Sequence, residues 1–265
     1  MSLDSMKEIF EHMEQEGKPF WEIVLEADMD DRQVSRNQSM AKMLLTWQAM
    51  ADAADNYTGR RRSVSGLVGG DGMKMRQYCF RGEAMSGGYV SEVIAEALSM
   101  AESNACMCRI VAAPTAGACG VLPAVLLPLC KYEEISQHQL LEALYVASGI
   151  GAIIARRACI AGASGGCQAE IGTASAMAAG ALVALRGGTG QQIGHAVAMA
   201  LKNLMGLVCD PVAGLVEVPC VKRNVIGAVN AVSVADMAMA GITSRIPVDE
   251  VIDAMGEVGR RMPVE

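Results

Sequence analysis

Residues Ile110 to Cys130 are 21 consecutive positions without a charge, a run long enough to be either a bilayer crossing or the inside of a helical core. Pro114, Pro123 and Pro128 interrupt it, Gly117 and Gly120 loosen it, and no Trp or Tyr belt flanks it. A transmembrane helix is poorly served by such breaks, so the run reads as core. Ala143 to Ala155 is too short to span a membrane and is stopped by Arg156-Arg157. The charge contrast points the same way: residues 104 to 242 hold 7 acidic and 8 basic side chains, whereas residues 1 to 62 hold 12 and 8. Ala, Met and Gly abound and aromatic residues are only 4%, which favours helices packed closely through small residues. The expected fold is all-α, a compact helical bundle core with a peripheral N-terminal helical layer. Residues 1–62 form the helical cap and residues 63–265 the body, with one continuous domain as the alternative.

Within the cap, Ser5 can cap a helix with Glu8 at its third position, Gly17-Lys18-Pro19 separates two short helices, and a longer helix is expected from about Asp31 to Asn56. Ser63 to Asp71 carries too many glycines for a regular element and should be a loop. Its Gly69-Gly70-Asp71 could offer backbone amides to a small anion, or be a plain surface turn. The net charge of -7 and the lack of any basic cluster beyond Arg60 to Arg62 argue against nucleic acid. The N-terminus has no basic flank leading into an apolar segment, so a cytoplasmic chain without a signal peptide is expected.

Nine cysteines occur without a Cys-x-x-Cys pair. In a reducing compartment they should be free thiols, used for metal, catalysis or burial. Cys167, Cys209 and Cys220 each sit at a break beside an apolar helix. Ser164-Gly165-Gly166-Cys167 leads into a helix where the dipole favours a thiolate. Pro219-Cys220 opens another helix, and Cys209 follows one that Asp210-Pro211 ends. Three thiolates on three element ends could surround one metal centre, and three buried free cysteines are the plainer alternative. Cys79, Cys106, Cys108, Cys119, Cys130 and Cys159 are assigned to burial. Of the three histidines, His12, His138 and His195, His195 has the best case as a base. It follows a Thr189–Gln192 capping box, opposite the face made by Ile193, Val197, Leu201 and Leu204. That position suits either solvent or a polar cavity.

The residues in order resemble the alpha subunit of iron–sulfur-dependent L-serine dehydratases. The likeness rests on Ser65-Gly66 with Gly69-Gly70-Asp71 and Lys74, and on Ala113-Pro114-Thr115-Ala116-Gly117. It continues with Gly166-Cys167-Gln168-Ala169-Glu170, Gly206-Leu207-Val208-Cys209-Asp210-Pro211 and Val218-Pro219-Cys220-Val221-Lys222-Arg223-Asn224. The resemblance implies a 4Fe-4S cluster on Cys167, Cys209 and Cys220, with one iron free of protein thiolate during catalysis. His195, Glu170 and Lys222 are the candidates for catalysis; Glu170 and the Lys222-Arg223-Asn224 run lie closer in sequence to the cysteines and could instead orient substrate or support the ligands. Ser65, Gly66, Asp71, Lys74, Thr115, Ala116, Gly117, Arg223 and Asn224 would be the substrate-binding set.

The implied reaction removes water from L-serine through an enamine and imine to give pyruvate and ammonia, with an open iron as Lewis acid and no pyridoxal phosphate. A separate beta subunit is the implied partner, and a homodimer is a further option for the assembly. Two departures stand out: Ala116 replaces the Asn of single-chain relatives, and those relatives continue past Arg261-Met262-Pro263-Val264-Glu265 to end in a cysteine that can occupy the open iron. Two other readings share these residues: an L-cysteine desulfidase, and a non-catalytic metal-binding redox module.

Overall fold

The computed structural model describes residues 3–262; the expectations attached to Pro263, Val264 and Glu265 lie outside the described residues. Among the described residues there are helices and no strands. The N-terminal layer comprises α1 (Met6–Glu16), α2 (Phe20–Arg32) and α3 (Arg36–Asp55). Ser5 caps α1 by accepting the Glu8 amide, and Gly17 closes it in the left-handed region. The expected helix from Asp31 begins later, because Ser35 and Gln38 form a reciprocal capping box after the left-handed Gln33. Met6, Ile9, Phe20, Ile23, Leu25 and Met50 bury their side chains in the same apolar core as the rest of the chain. The layer is therefore welded to the bundle through one continuous core.

The body holds α4 (Asp71–Phe80), α5 (Gly87–Ala105), α6 (Val121–Tyr132), α7 (Gln137–Arg157), α8 (Gly162–Leu185), α9 (Gly190–Leu204), α10 (Cys220–Met239) and α11 (Val248–Arg261). The uncharged run thus splits into an irregular segment through Gly120 and the helix α6. Helix α7 has the length and hydropathy to cross a membrane, but 67% of its apolar window is buried within the fold. Helix α8 is the axis of the bundle, apolar on nearly every side from Ile171 to Val183, as a helix surrounded by others must be. Its neighbours approach closely: a Cβ on Gly180 would lie 2.2 Å from Ile150 Cδ1 of α7. A side chain there would force Ile150 to repack, so the glycine lets the two helices pack closely.

Helix α8 bends at Gly166, whose φ of 77° and ψ of 170° break the helix between a first turn and the long segment that starts at Cys167. A Cβ at Gly166 would sit 2.7 Å from Leu207 O and 2.6 Å from Met262 Sδ. The kink thus lets the 206–211 loop and the end of α11 close over the start of α8.

Candidate functional site

Three irregular segments and two helix starts meet at one end of the bundle. Cys167 opens the long part of α8, Cys220 is the first residue of α10 after Pro219, and Cys209 lies in the loop following α9. Helix α9 ends at Leu204, so Cys209 is not at a helix end as the sequence suggested. It sits on an exposed loop, whereas Cys167 and Cys220 are buried.

One side chain joins all three cysteine-bearing segments. Arg223, three residues after Cys220, donates from Nη1 to Cys167 Sγ at 3.0 Å and to Val208 O at 3.0 Å, and pairs with Asp210 Oδ1 at 2.6 Å. The thiols are close enough to act on one another electrostatically, each neighbour favouring the protonated form. Burial is the larger effect: it pushes the Cys167 thiol up to about 11 although Arg223 pulls it down, and it raises Cys220 as well. No three His, Cys, Asp or Glu side chains among the described residues are grouped to hold one metal ion.

Gln168 fixes the Cys209 loop from below. Its Oε1 accepts the Gly206 amide at 2.8 Å, its own amide donates to Leu207 O at 2.9 Å, and its Nε2 donates to Met255 O of α11 at 3.1 Å. Three residues on from Cys167, and so on the same face of α8, Glu170 accepts a hydrogen bond from the Thr115 hydroxyl. Its carboxylate packs against Gly117 and Gly162, and Cys209 Sγ lies beside the same Gly162. Ala116 is exposed in the short turn Ala116–Ala118. Asn224, wholly buried, accepts the Gly120 amide at 2.9 Å and donates to Gly117 O at 2.7 Å and Cys220 O at 3.1 Å. Its hydrogen bonds are spent on holding the 113–120 segment to α10.

The Ser63–Asp71 loop joins from the other side, as an irregular segment ending where α4 begins. Ser63 and Ser65 both donate to Glu217, whose carboxyl they hold below the ordinary range. Gly66 is exposed with a φ of 80°. The amides that could have received an anion are already occupied: Gly70 and Asp71 donate to Glu102 at 3.0 and 2.8 Å, Gly72 at 3.4 Å, and Tyr57 adds its hydroxyl. The anion is the chain's own buried carboxylate. Asp71 pairs with Lys74 at 2.8 Å, which holds its carboxyl below the ordinary range, and faces Lys222 at 4.0 Å. Both lysines are exposed, at the rim.

His195 does not join this set. Gly180 of α8 faces Ile193 of α9, and Gly172 faces Leu201 and Leu204. The pair is antiparallel, so His195 stands roughly level with Ala178, about 17 Å along the axis from Cys167 at 1.5 Å per residue. Sequence inspection missed Gln168 and Glu102 as architects of the site. The pattern Gly166-Cys167-Gln168-Ala169-Glu170, with two polar residues inside an otherwise apolar helix, was the available signal for the first.

Fold and site together define an all-helical protein in which Arg223 ties together three segments that each carry a cysteine. The family model for the serine dehydratase alpha chain matches residues 15–265. The probable L-serine dehydratase alpha chain of Bacillus subtilis (strain 168) is 42% identical over 259 residues, 98% of this chain and 86% of that one. The L-serine dehydratase alpha chain of Peptoniphilus asaccharolyticus is 39% identical over 98% of this chain and 89% of its own length. L-serine dehydratase TdcG of Escherichia coli (strain K12) is 38% identical over 82% of this chain, which spans 49% of that longer protein. This chain belongs to the serine dehydratase alpha chain family.

Proposed function

We propose that the chain is the catalytic alpha subunit of an L-serine dehydratase that converts L-serine to pyruvate and ammonia without pyridoxal phosphate. The observation that carries the reading is Arg223 tying together the segments of Cys167, Cys209 and Cys220, inside the motifs that mark the family. The donor set fits an iron–sulfur cluster. Thiolates are soft ligands suited to it, and the three come from three separate segments that Arg223 ties together. Cys167, Cys209 and Cys220 would hold the cluster, and Cys209 is the one of the three exposed to solvent. When bound, the cluster supplies a Lewis-acidic iron that makes the serine hydroxyl a better leaving group.

The remaining work falls to side chains. Glu170 is one turn from Cys167 and next to Thr115, which makes it the better candidate to take the alpha proton, in preference to the remote His195. Loss of that proton and of the hydroxyl gives an enamine, which tautomerises to the imine and hydrolyses to pyruvate and ammonia. Lys222 and Lys74 at the rim can attract the substrate carboxylate, with Asp71 setting their spacing. Nine reduced thiols suit a cytoplasmic protein. A separate beta subunit is the expected partner, because the relatives of matching length are named as alpha chains.

The test is anaerobic reconstitution with iron and sulfide, alone and with the beta subunit, followed by pyruvate release from L-serine and sulfide release from L-cysteine. Pyruvate release from serine supports the reading. Sulfide release from cysteine alone assigns the desulfidase reaction instead, and a loaded but inert complex assigns a redox module.

A further inference from the structure

The long part of α8 starts after the break at Gly166, so the first amides it presents lack helical partners. The Gln168 amide is one of them, and Leu207 O accepts it at 2.9 Å. The Gln168 side chain, 1% exposed, bonds in two directions from the same point. Its Oε1 accepts the Gly206 N–H at 2.8 Å, and its Nε2 donates to Met255 O, inside α11, at 3.1 Å. One buried amide thus bridges the loop that carries Cys209 and helix α11. The partners dictate the residue type. Gly206 offers a donor and Met255 an acceptor, and a carboxamide answers both without a buried charge.

Helix α11 is packed so that this bridge can be made. A Cβ on Gly256 would lie 3.2 Å from Ala158 Cα, and one on Gly259 would lie 3.2 Å from Gly165 Cα and 3.5 Å from Gln168 Nε2. The two glycines are three residues apart on one face, and they seat α11 directly on the turn that leads into Cys167. On the other side of Cys209 the loop is held by Arg223, at Val208 O and Asp210. Cys209 itself is exposed, so the backbone on either side sets the place of its sulfur.

We propose that Gln168 is a positioning residue that transmits the seating of α11 to the Cys209 loop and so sets Cys209 relative to Cys167. Gly256 and Gly259 serve the same end from the α11 side. This role rests on the proposed cluster on Cys167, Cys209 and Cys220, to which Gln168 contributes no ligand. Its consequence is retention of the cluster, because removing a partner that holds a ligand from behind typically costs about ten- to a hundredfold in metal affinity.

Gln168→Met keeps the side-chain volume and removes both side-chain bonds. In the cluster-free chain, hydrogen exchange at the Gly206 amide should speed up about ten- to a hundredfold. After anaerobic reconstitution, the variant should lose iron to a ferrous chelator about ten- to a hundredfold faster than the wild type. Gln168→Glu keeps an acceptor for Gly206 but turns an oxygen towards Met255 O, so it should not restore retention. Gly259→Ala crowds the Gly165 backbone from α11 and should speed iron loss several-fold with Gln168 intact. Ile23→Ala in α2 is buried and destabilising but remote; it should hold iron as the wild type does, which separates positioning from a general loss of stability. The proposal is overturned if Gln168→Met keeps iron at the wild-type rate, if Gln168→Glu restores retention, or if Ile23→Ala loses iron as fast. If Gln168→Met does not fold, Gly259→Ala decides. A wild type that takes up no iron refutes the cluster reading itself, and Gly206 exchange in Gln168→Met then decides the loop's placement, an unchanged rate overturning the positioning role as well.

Discussion

Replacing Asn224 by Ala tests the view that this residue builds the site and does not touch substrate. The side chain is fully buried and makes three hydrogen bonds to two segments. Alanine leaves the Gly120 amide and the Gly117 carbonyl without their partners, at about 1–3 kcal/mol each, and adds a small cavity. The expected loss is about 3–5 kcal/mol, which at about 2–4 °C per kcal/mol lowers the melting temperature by roughly 10 °C or more. Urea denaturation followed by helical circular dichroism gives the energy directly, with an unchanged slope marking a stability effect. Asn224→Asp adds a signed control, since the new carboxylate would face Gly117 O and Cys220 O. Such a buried acid has a raised pKa, so the variant should regain stability as pH falls and the acid is protonated. A loss below about 1 kcal/mol for the alanine variant would refute the structural assignment.

Glu102→Gln keeps one acceptor oxygen and sets an amide NH2 either against the Asp71 N–H, which Oε1 accepts, or against those of Gly70 and Gly72, which Oε2 accepts, and removes the charge that serves all three. It should cost about 2–3 kcal/mol and speed hydrogen exchange at those three amides. Arg223→Ala removes the tie to Cys167, Val208 and Asp210, and exchange across residues 206–211 should rise about ten- to a hundredfold. Burial pushes the Cys119 thiol up to about 12. The folded chain then keeps a proton that the unfolded chain releases from about pH 9, so this stabilisation is full below about pH 9 and is lost as pH rises towards 12. Cys119→Ala should flatten that part of the urea midpoint's pH dependence, and an unchanged slope would count against the burial argument.

Local signals in the sequence reached a long way. Ser5 and Thr189 start helices where capping chemistry allows, and the small residues of α8 mark the bundle axis. Cys167 and Cys220 were visible at element starts because Gly166 and Pro219 stand immediately before them. What stayed hidden depends on partners far along the chain. Glu102 lies about thirty residues from the amides it accepts, so the glycine-rich loop looked free to hold an anion. Asn224 reaches back more than a hundred residues to Gly117 and Gly120, and no local pattern separates that role from substrate contact. His195 looked suitable on its own helix, but only the pairing of α8 with α9 reveals how far it stands from the thiols. Cys209 was read onto a helix end because Asp210-Pro211 is a terminator, yet α9 had already ended at Leu204.

The central claim is that Cys167, Cys209 and Cys220 together hold one iron–sulfur cluster. Iron and sulfide should be counted, with the visible absorption, on anaerobically reconstituted wild type and on each Cys→Ala variant, with Cys119→Ala as the control. About four irons and four sulfides per chain are expected for the wild type and the control, with heavy loss in each of the three variants. Full iron content in any one of Cys167→Ala, Cys209→Ala or Cys220→Ala would contradict the account.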